Sequence, residues 1–367
     1  MNQIQARKLI GSWLLLGVFM ILIQILLGGI TRLTGSGLSI TQWDVIMGSV
    51  PPLNDHDWQQ AFNQYKQFPQ YTLMNSDMTL NGFKSIFWWE FIHRLWARLM
   101  GVAFLIPFIY FLIRKSIDWQ LGKKLIMIFV LGALQGLVGW IMVQSGLIDK
   151  PWVSPINLSA HLILALILYC YLFWVALDVM QLSHEKQQLR SLLPFSIFLL
   201  TLTFVQLFYG GLMAGNKAAL FYPTFPKIGY TFIPQGILTS EPWYLNLISN
   251  IGMIQVIHRS LGFILAFSIF YFYLKSRKYR TSDFFKTAFM LLPLLVVVQV
   301  VLGILTLINA LGQIPIMYGV LHQLFAVLLL TDIVFITFSL SRQTTQKRDQ
   351  PPDEMVLQQP VIEMHKE

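Results

Sequence analysis

The sequence has few charged residues and a single cysteine. Only 12% of its 367 residues are Asp, Glu, Lys or Arg, whereas 55% are hydrophobic, and the mean hydropathy is +0.60. Soluble globular domains carry about 25% charged residues. This shortage of charge excludes an ordinary soluble domain and favours a membrane protein. The lone cysteine, Cys170, excludes an intramolecular disulfide.

Long apolar stretches make up most of the chain. A helix needs about 20 mainly apolar residues to cross a bilayer, and eight stretches reach this length. They cover approximately residues 10–30, 86–113, 124–143, 157–178, 191–213, 253–274, 288–309 and 316–340. The sequence therefore predicts an all-α polytopic membrane protein with eight transmembrane helices.

The first apolar stretch is expected to stay in the mature protein. It is too long for the apolar region of a signal peptide, and it runs into Gly28-Gly29-Ile30-Thr31-Arg32 rather than into a small-residue cleavage site. No Arg- and Ser-rich transit segment precedes it, which we expect of a bacterial protein.

The basic residues lie mainly on one side of the predicted helices. A net charge of +9 is compatible with nucleic-acid binding, but most Lys and Arg residues precede odd-numbered spans or follow even-numbered ones. The positive-inside rule assigns these segments, and both termini, to the cytoplasm. We therefore predict no nucleic-acid partner. Residues 341–367 are polar and charged and are expected to form a disordered cytoplasmic tail.

Four sets of short motifs recur in the same order in the two halves of the chain. They are Gln24 to Gly29 with Gln206 to Gly211, His93-Arg94 with His258-Arg259, Gln135 to Gly139 with Gln299 to Gly303, and His161 with His322. An even number of helices per repeat keeps both halves in the same orientation, which indicates a parallel repeat. We predict two tandem four-helix bundles related by a pseudo-two-fold axis along the membrane normal. The halves are residues 1–190, with a long outer loop at 31–85, and residues 191–340.

The four matched histidines are the candidate ligand residues. His93, His161, His258 and His322 each lie near the outer start of an even-numbered span, at similar depth. Imidazole is a common protein ligand of haem iron, and an ionisable group within a membrane span is a functional-site hypothesis. For a single such histidine, a hydrogen bond to a neighbouring helix is the better explanation, but recurrence at four matched positions favours two haems. The remaining histidines are expected to be solvated: His56, His184 and His365.

Arginines and glycines accompany these histidines. Arg94 and Arg259 directly follow two of the predicted ligands and are candidates to pair with haem propionates, because a guanidinium fits a carboxylate. Arg98 lies deeper, where a buried protein acceptor is expected. Six matched glycines allow close approach, either of helices or of a flat macrocycle: Gly28, Gly29, Gly139, Gly210, Gly211 and Gly303.

The two halves differ at one position that matters chemically. Glu90 precedes His93 by one helical turn, whereas Gln255 stands at the equivalent place before His258. A carboxylate beside a haem can accept a proton or stabilise a developing cation. The alternative is an ion pair with Arg94, four residues later, that only supports the structure. The asymmetry favours a reactive first half and a second half that only carries a haem.

The motifs around these residues resemble one known family, the haem A synthases of cytochrome oxidase maturation. The resemblance lies in Glu90-Phe-Ile-His93-Arg94, in Gly28-Gly-Ile-Thr-Arg32, in the Pro51-Pro52 loop with Trp58, Phe62 and Tyr65, and in Gln255-Val-Ile-His258-Arg259. It covers approximately residues 8–340. The first outer loop has no cysteine, so the chain resembles the mitochondrial and proteobacterial branch rather than the branch with a cysteine pair.

The resemblance implies an oxidoreductase that converts haem O to haem A. Two hydroxylations of the C8 methyl group, with water as the oxygen source, would give a formyl group. By the same resemblance, His93, His161 and Arg94 would bind haem O, Glu90 would be catalytic, and His258, His322 and Arg259 would bind a haem b cofactor. The implied location is a bacterial inner membrane. Expected partners are haem O synthase, an unidentified electron acceptor and possible further copies of the chain.

Two other classes of protein fit parts of the pattern. A di-haem b-type cytochrome that transfers electrons from a quinol would use four histidines but would gain nothing from one unmatched Glu90. A transporter would fit the parallel repeat, but it would need a polar central cavity, and the odd-numbered spans carry almost no charge. Neither explains all of the motifs.

Overall fold

The computed structural model describes residues 3–41, 47–148, 150–181, 187–279 and 281–342. Eight of its helices are long and apolar enough to cross a membrane. They are α1 (Gln3–Leu33), α2 (Leu80–Ile113), α3 (Trp119–Gln144), α4 (Pro155–Met180), α5 (Leu193–Gly215), α6 (Ile251–Ser276), α7 (Asp283–Ile308) and α8 (Ile316–Arg342). No β-strand occurs among the described residues. The predicted all-α class and its eight spans are confirmed.

Six of the eight helices begin earlier than the apolar pattern indicates, and side-chain caps fix the first turns of several of them, including α2 and α3. Thr79 accepts a hydrogen bond from the Gly82 amide at the start of α2, and Asp118 accepts one from the Leu121 amide at the start of α3. Such caps satisfy backbone donors that have no partner within the helix. His184, His365 and the predicted tail after residue 342 lie outside the described residues.

The helices of each half pack around one another, but the two halves pack differently. In the second half, α5 and α7 each pack against both α6 and α8, which closes a four-helix ring. In the first half, α1 packs against α2 and α4, and α3 packs against α4. Within the described part of the chain, α2 and α3 do not pack closely together. The first bundle is therefore open between these two helices.

Small residues bring the two halves together. A Cβ atom at Gly211 of α5 would lie 2.7 Å from the hydroxyl oxygen of Ser159 on α4, so only glycine permits this approach. The Gln323 amide of α8 donates to the backbone carbonyl of Ile25 on α1 at 2.8 Å. Contacts of α4 with α5 and of α1 with α8 thus join the halves. The two-fold axis and the boundaries of the halves stay predictions.

The loop between α1 and α2, which is predicted to lie on the outer side, contains a small folded unit that packs on the first turns of α2. Its helices, Asp55–Tyr65 and Pro69–Met74, contribute an aromatic cluster that packs on α2. The Tyr65 hydroxyl lies 3.1 Å from Gln70 Oε1, and the Gln70 amide donates to the carbonyl of Gly35 at 2.9 Å. Burial raises the pKa of the Tyr65 phenol. The loop unit therefore holds the segment that follows α1 in place.

Candidate haem-binding site

Each of the four candidate histidines points at a glycine of a neighbouring odd-numbered helix. A Cβ atom at Gly28 would lie 3.3 Å from His93 Nε2, and one at Gly210 would lie 3.5 Å from His258 Cε1. The corresponding distances are 2.8 Å from Gly139 to His161 Cε1 and 2.9 Å from Gly303 to His322 Cε1. The glycines therefore make room for imidazole rings at four matched places. Gly29 and Gly211 differ, because they adjoin Gln323 and Ser159 at the contact between the halves.

The histidines are also brought together in the predicted pairs. His93 lies close enough to His161, and His258 to His322, for the charges of each pair to interact. Each pair thus joins an imidazole from the first even-numbered helix of its half to one from the second. Two imidazoles are a donor set that suits haem iron.

A glutamine accompanies each histidine. The Gln135 amide nitrogen lies 3.2 Å from His161 Nδ1, and the Gln206 amide nitrogen lies 3.2 Å from His258 Nδ1. These glutamines belong to the repeated motifs, and the structure shows what they contact. An outer hydrogen-bond partner orients a ligating imidazole and fixes its tautomer.

The other two glutamines contact their histidines differently: Gln24 bonds to the backbone of His93, and Gln299 contacts the His322 ring through both its side chain and its backbone carbonyl. The Gln24 amide donates to the carbonyl of His93 at 3.2 Å, and His322 Nδ1 donates to the carbonyl of Gln299 at 3.0 Å. The side-chain carbonyl oxygens of all four glutamines are buried without a hydrogen-bond partner. Four buried acceptors around two imidazole pairs fit a site that takes a further polar or metal-containing group. The residues present in both halves therefore fit a haem.

A cavity of about 900 Å³ lies in the first half. His93, His161, Glu90 and Arg94 line it, as do Gly101 of α2 and Gly132 and Gly136 of α3. A Cβ atom at any of these three glycines would meet nothing within 4 Å. His258 and His322 do not line this cavity. Its volume lies at the upper end of the range for small-molecule and cofactor sites.

Glu90 lines this cavity and is buried, and its carboxylate is fully engaged. Arg94 donates to Oε1 at 2.5 Å, while the Ser39 hydroxyl and the Ile40 amide donate to Oε2 at 2.7 and 2.8 Å. Ser39 and Ile40 belong to the segment after α1. The ion pair of Glu90 with Arg94, which is the structural alternative to a catalytic role, is therefore present. The same carboxylate also lines the cavity. A catalytic role for Glu90 stays a prediction.

Gln255 makes the equivalent contacts in the second half, but it donates to the connecting segment where Glu90 accepts. Its amide nitrogen donates to the carbonyl of Ala218 at 2.7 Å, and its carbonyl accepts from Arg259. Arg259 also donates to the carbonyls of Lys227 and Tyr222. Both positions thus tie the segment after the first helix of a half to its second helix.

Arg94 and Arg259, which are predicted to bind propionates, already donate hydrogen bonds to acceptors within the protein. Arg94 donates to the carbonyl of Ile40 at 2.7 Å as well as to Glu90, and Arg259 has the three acceptors given above. Pairing of either arginine with a propionate stays a prediction. The guanidinium would then be shared between the propionate and these protein acceptors.

Arg98 lines both the large cavity and a smaller one of about 290 Å³ beneath the outer loop. His56 is exposed beside Asp57, as expected for a solvated histidine.

Two cations at the cavity were not singled out from the sequence as site residues. Arg32 lies in the last turn of α1, and Lys217 follows α5 from the other half of the chain, yet both line the cavity. Arg32 belongs to the motif Gly28-Gly-Ile-Thr-Arg32, so the sequence did contain a signal that it lies near the site. Lys217 carried no such signal, because only the packing of α4 against α5 brings it to the first half.

The fold and the site define a polytopic helical membrane protein with two pairs of intramembrane histidines. A family model described as "Cytochrome oxidase assembly protein" matches residues 11–334. A heme A synthase of Nitrosospira multiformis is 44% identical over 340 residues, which are 92% of this chain and 95% of the relative. A heme A synthase of Nitrosomonas eutropha is 43% identical over 336 residues (90% and 94%), and one of Flavobacterium psychrophilum is 38% identical over 340 residues (92% and 99%). The chain belongs to the haem A synthase family.

Proposed function

We propose that the chain converts haem O to haem A by oxidising the C8 methyl group of the macrocycle to a formyl group. One observation carries the proposal: a cavity that holds two histidines and one carboxylate in the first half, with a glutamine at the equivalent position in the second. The family relationship supports the same reaction. Haem O is the substrate and haem A the product.

The substrate haem binds in the cavity of the first half. His93 and His161 are the candidate ligands of its iron, and Gly28 and Gly139 provide the space beside their rings. The hydroxyethylfarnesyl chain of haem O needs a long apolar volume. The open side of the cavity between α2 and α3 provides it at Gly101, Gly132 and Gly136.

The reaction needs two successive two-electron oxidations. In the first, the methyl group loses two electrons and one proton and bonds to the oxygen of a water molecule, which releases a second proton, so that an alcohol forms. In the second, the alcohol carbon loses two more electrons and one proton and bonds to the oxygen of a second water molecule, which again releases a proton. The resulting gem-diol loses water to leave the formyl group. Water therefore supplies the oxygen, and an external acceptor must take the electrons.

Glu90 is the residue proposed to assist these steps. A carbon that loses electrons next to the macrocycle becomes positive, and a nearby carboxylate stabilises it in a site of low dielectric constant. The same carboxylate can accept a proton from attacking water. Its bonds to Ser39 and Ile40 fix its position from the outer side, where water is available.

The second half is proposed to hold a haem b cofactor. His258 and His322 would be its iron ligands, Arg259 would bind a propionate, and Gly210 and Gly303 adjoin the histidine rings. When bound, this haem supplies a one-electron carrier between the substrate site and the acceptor. Gln206 and Gln299 would orient the ligating imidazoles.

The proposed setting is the inner membrane of a bacterium, with both termini in the cytoplasm. The distribution of Lys and Arg supports this orientation, which places all four histidines near the outer leaflet. Haem O synthase is the proposed donor of the substrate. The reaction also requires an electron acceptor as a partner. Further copies of the chain are a second proposed partner.

Extraction of the non-covalent haems from purified protein tests the proposal. Protein expressed in a host that makes haem O should contain haem B together with haem O, haem A or the hydroxylated intermediate, identified by chromatography and mass. Two equivalents of haem B alone would favour the di-haem electron-transfer cytochrome. Absence of any haem would contradict both functions.

A further inference from the structure

Arg32 and Lys217 share an unusual position at the outer end of the cavity. Both line it, and they lie close enough for the charge of Arg32 to act on Lys217. Gly28, which adjoins the His93 ring, lies one helical turn before Arg32 in α1. The backbone of Arg32 is therefore about 6 Å further out along the helix axis than that of Gly28, which marks the level of the candidate iron ligand.

Neither cation has an anionic partner in the part of the chain that the structure describes. Among the described residues, no carboxylate oxygen lies within 4.0 Å of Arg32 or Lys217. Burial, together with the positive charge of Arg32, lowers the pKa of the Lys217 ammonium. Two partly buried like charges without a counter-ion are unfavourable unless an anionic ligand joins them.

Lys217 has a strained backbone conformation at the cavity. Its φ of 49° is left-handed, a conformation that favours glycine, and the equivalent position in the first half is Gly35, with a φ of 69°. Close packing at Gly215, whose Cβ would lie 2.7 Å from Pro155 Cα, brings this turn against the start of α4. The Lys217 ammonium then lies 5.6 Å from the centre of the Trp152 ring, which also lines the cavity.

The repeat lacks this arrangement in the other half. Counting from the matched Gly28 and Gly210, Ala214 stands where the first half has Arg32. The pair of cations therefore belongs to the cavity of the first half and not to the duplicated framework. One of its members comes from the second half, so the site is complete only when the halves are packed together.

We propose that Arg32 and Lys217 form a carboxylate-binding subsite that receives the propionate groups of the substrate tetrapyrrole. This inference rests on the proposed function, since it takes haem O as the ligand. A guanidinium binds a carboxylate through two parallel hydrogen bonds, and an ammonium adds a point charge. The subsite orients the macrocycle with its propionates toward the outer side, while Arg94 stays with Glu90.

The test compares haem O with its dimethyl ester, in which both propionates are neutral. Full-length protein from cells that make haem B but not haem O is titrated with each ferric compound, and binding is followed by Soret absorbance. The variants are Arg32→Met and Lys217→Met, which keep most of the side-chain length. Lys150→Met is the matched control, because Lys150 is exposed on the same side and does not line the cavity.

Each variant is expected to weaken haem O binding by about tenfold or more and to change ester binding by less than about twofold. Lys150→Met should bind both compounds as the unmodified protein does. Unchanged haem O binding in both variants, or an equal loss for haem O and ester, would overturn the subsite while leaving the proposed function intact. Failure of the unmodified protein to bind haem O would overturn the proposed function and this inference with it.

Discussion

Glu90 and Gln255 occupy equivalent positions in the two halves, and each accepts a hydrogen bond from the arginine four residues later in its own helix. They differ in their hydrogen bonds to the segment that follows the preceding helix. Glu90 accepts hydrogen bonds from Ser39 and Ile40, whereas Gln255 donates one to Ala218. The duplicated framework thus keeps the structural contact and changes only the charge. This difference is what the first prediction examines.

Replacing Glu90 with glutamine gives the first half the side chain that the second half already carries. We expect Glu90→Gln to keep bound haem O but to lower its conversion by about 100-fold or more, because the charge that assists proton transfer is lost. Haem extraction with chromatography measures both quantities. Some loss of thermal stability is also expected, since the amide nitrogen faces the Ile40 donor.

Ser39→Ala is the matched control for this change, because it removes one hydrogen bond and leaves the carboxylate charged. It should retain most of the conversion. Equal loss of conversion in Ser39→Ala and Glu90→Gln, with haem O bound in both, would show that Glu90 acts by positioning the outer segment. Conversion at the unmodified rate in Glu90→Gln would show that the predicted catalytic role is wrong.

The two histidine pairs should be separable by substitution. We expect His258→Ala to remove haem B while haem O still binds, and His161→Ala to remove haem O while haem B remains. Each pair lies in its own bundle, so losing one iron ligand leaves the other site intact. Haem identity and stoichiometry in the purified variants are the measurement, with the exposed His56→Ala as control. Loss of both haems from a stable, monodisperse variant would contradict two independent sites.

The glycines beside the histidine rings should matter more for haem binding than for folding. A Cβ at Gly303 would lie 2.9 Å from His322 Cε1. An unliganded ring can turn away from an added methyl, but a ring bound to iron is held in place. Gly303→Ala should therefore lower haem B affinity by about tenfold, the cost of an off-rotamer ligand. Gly101→Ala, which adds a methyl where nothing lies within 4 Å, should leave affinity unchanged, and equal losses in both variants would refute the argument.

The spans and the histidines could be predicted from the sequence because both are local properties. Apolar length fixes a membrane helix, and an ionisable residue within one stands out against it. The recurrence of Gln135 and Gln299 likewise revealed the duplication. The ion pair of Glu90 with Arg94 was also accessible, since four residues separate them on one helix.

The remaining features depend on contacts between distant parts of the chain. The hydrogen bonds of Ser39 and Ile40 to Glu90 arise only when the outer loop packs on α2. Lys217 reaches the first cavity because α5 packs closely on α4 at Gly211 and Gly215. No periodicity or motif records such packing. The charge of Lys217 was visible in the sequence, but its location was not.

The opening between α2 and α3 also comes from packing, and the repeat explains it. Counting from the matched Gln135 and Gln299, Val296 and Val300 stand where the first half has Gly132 and Gly136. Val296 is buried in the core of the second half, whereas Gly132 faces open space. The missing side chains leave room on the side of the cavity that faces α2. We propose that this room accepts the farnesyl chain of haem O.

The double substitution Gly132→Val and Gly136→Val should therefore make the first half selective against a farnesyl-bearing haem. Each valine fills part of the apolar volume that the chain would occupy, so haem O binding should fall by about tenfold or more. Haem B, which has no such chain, should bind the same site almost unchanged. Soret titrations with the two haems measure the ratio, and Gly122→Val, on α3 but outside the cavity, is the matched control. An equal loss for haem O and haem B would mean that the valines disturb the bundle rather than the space for the chain.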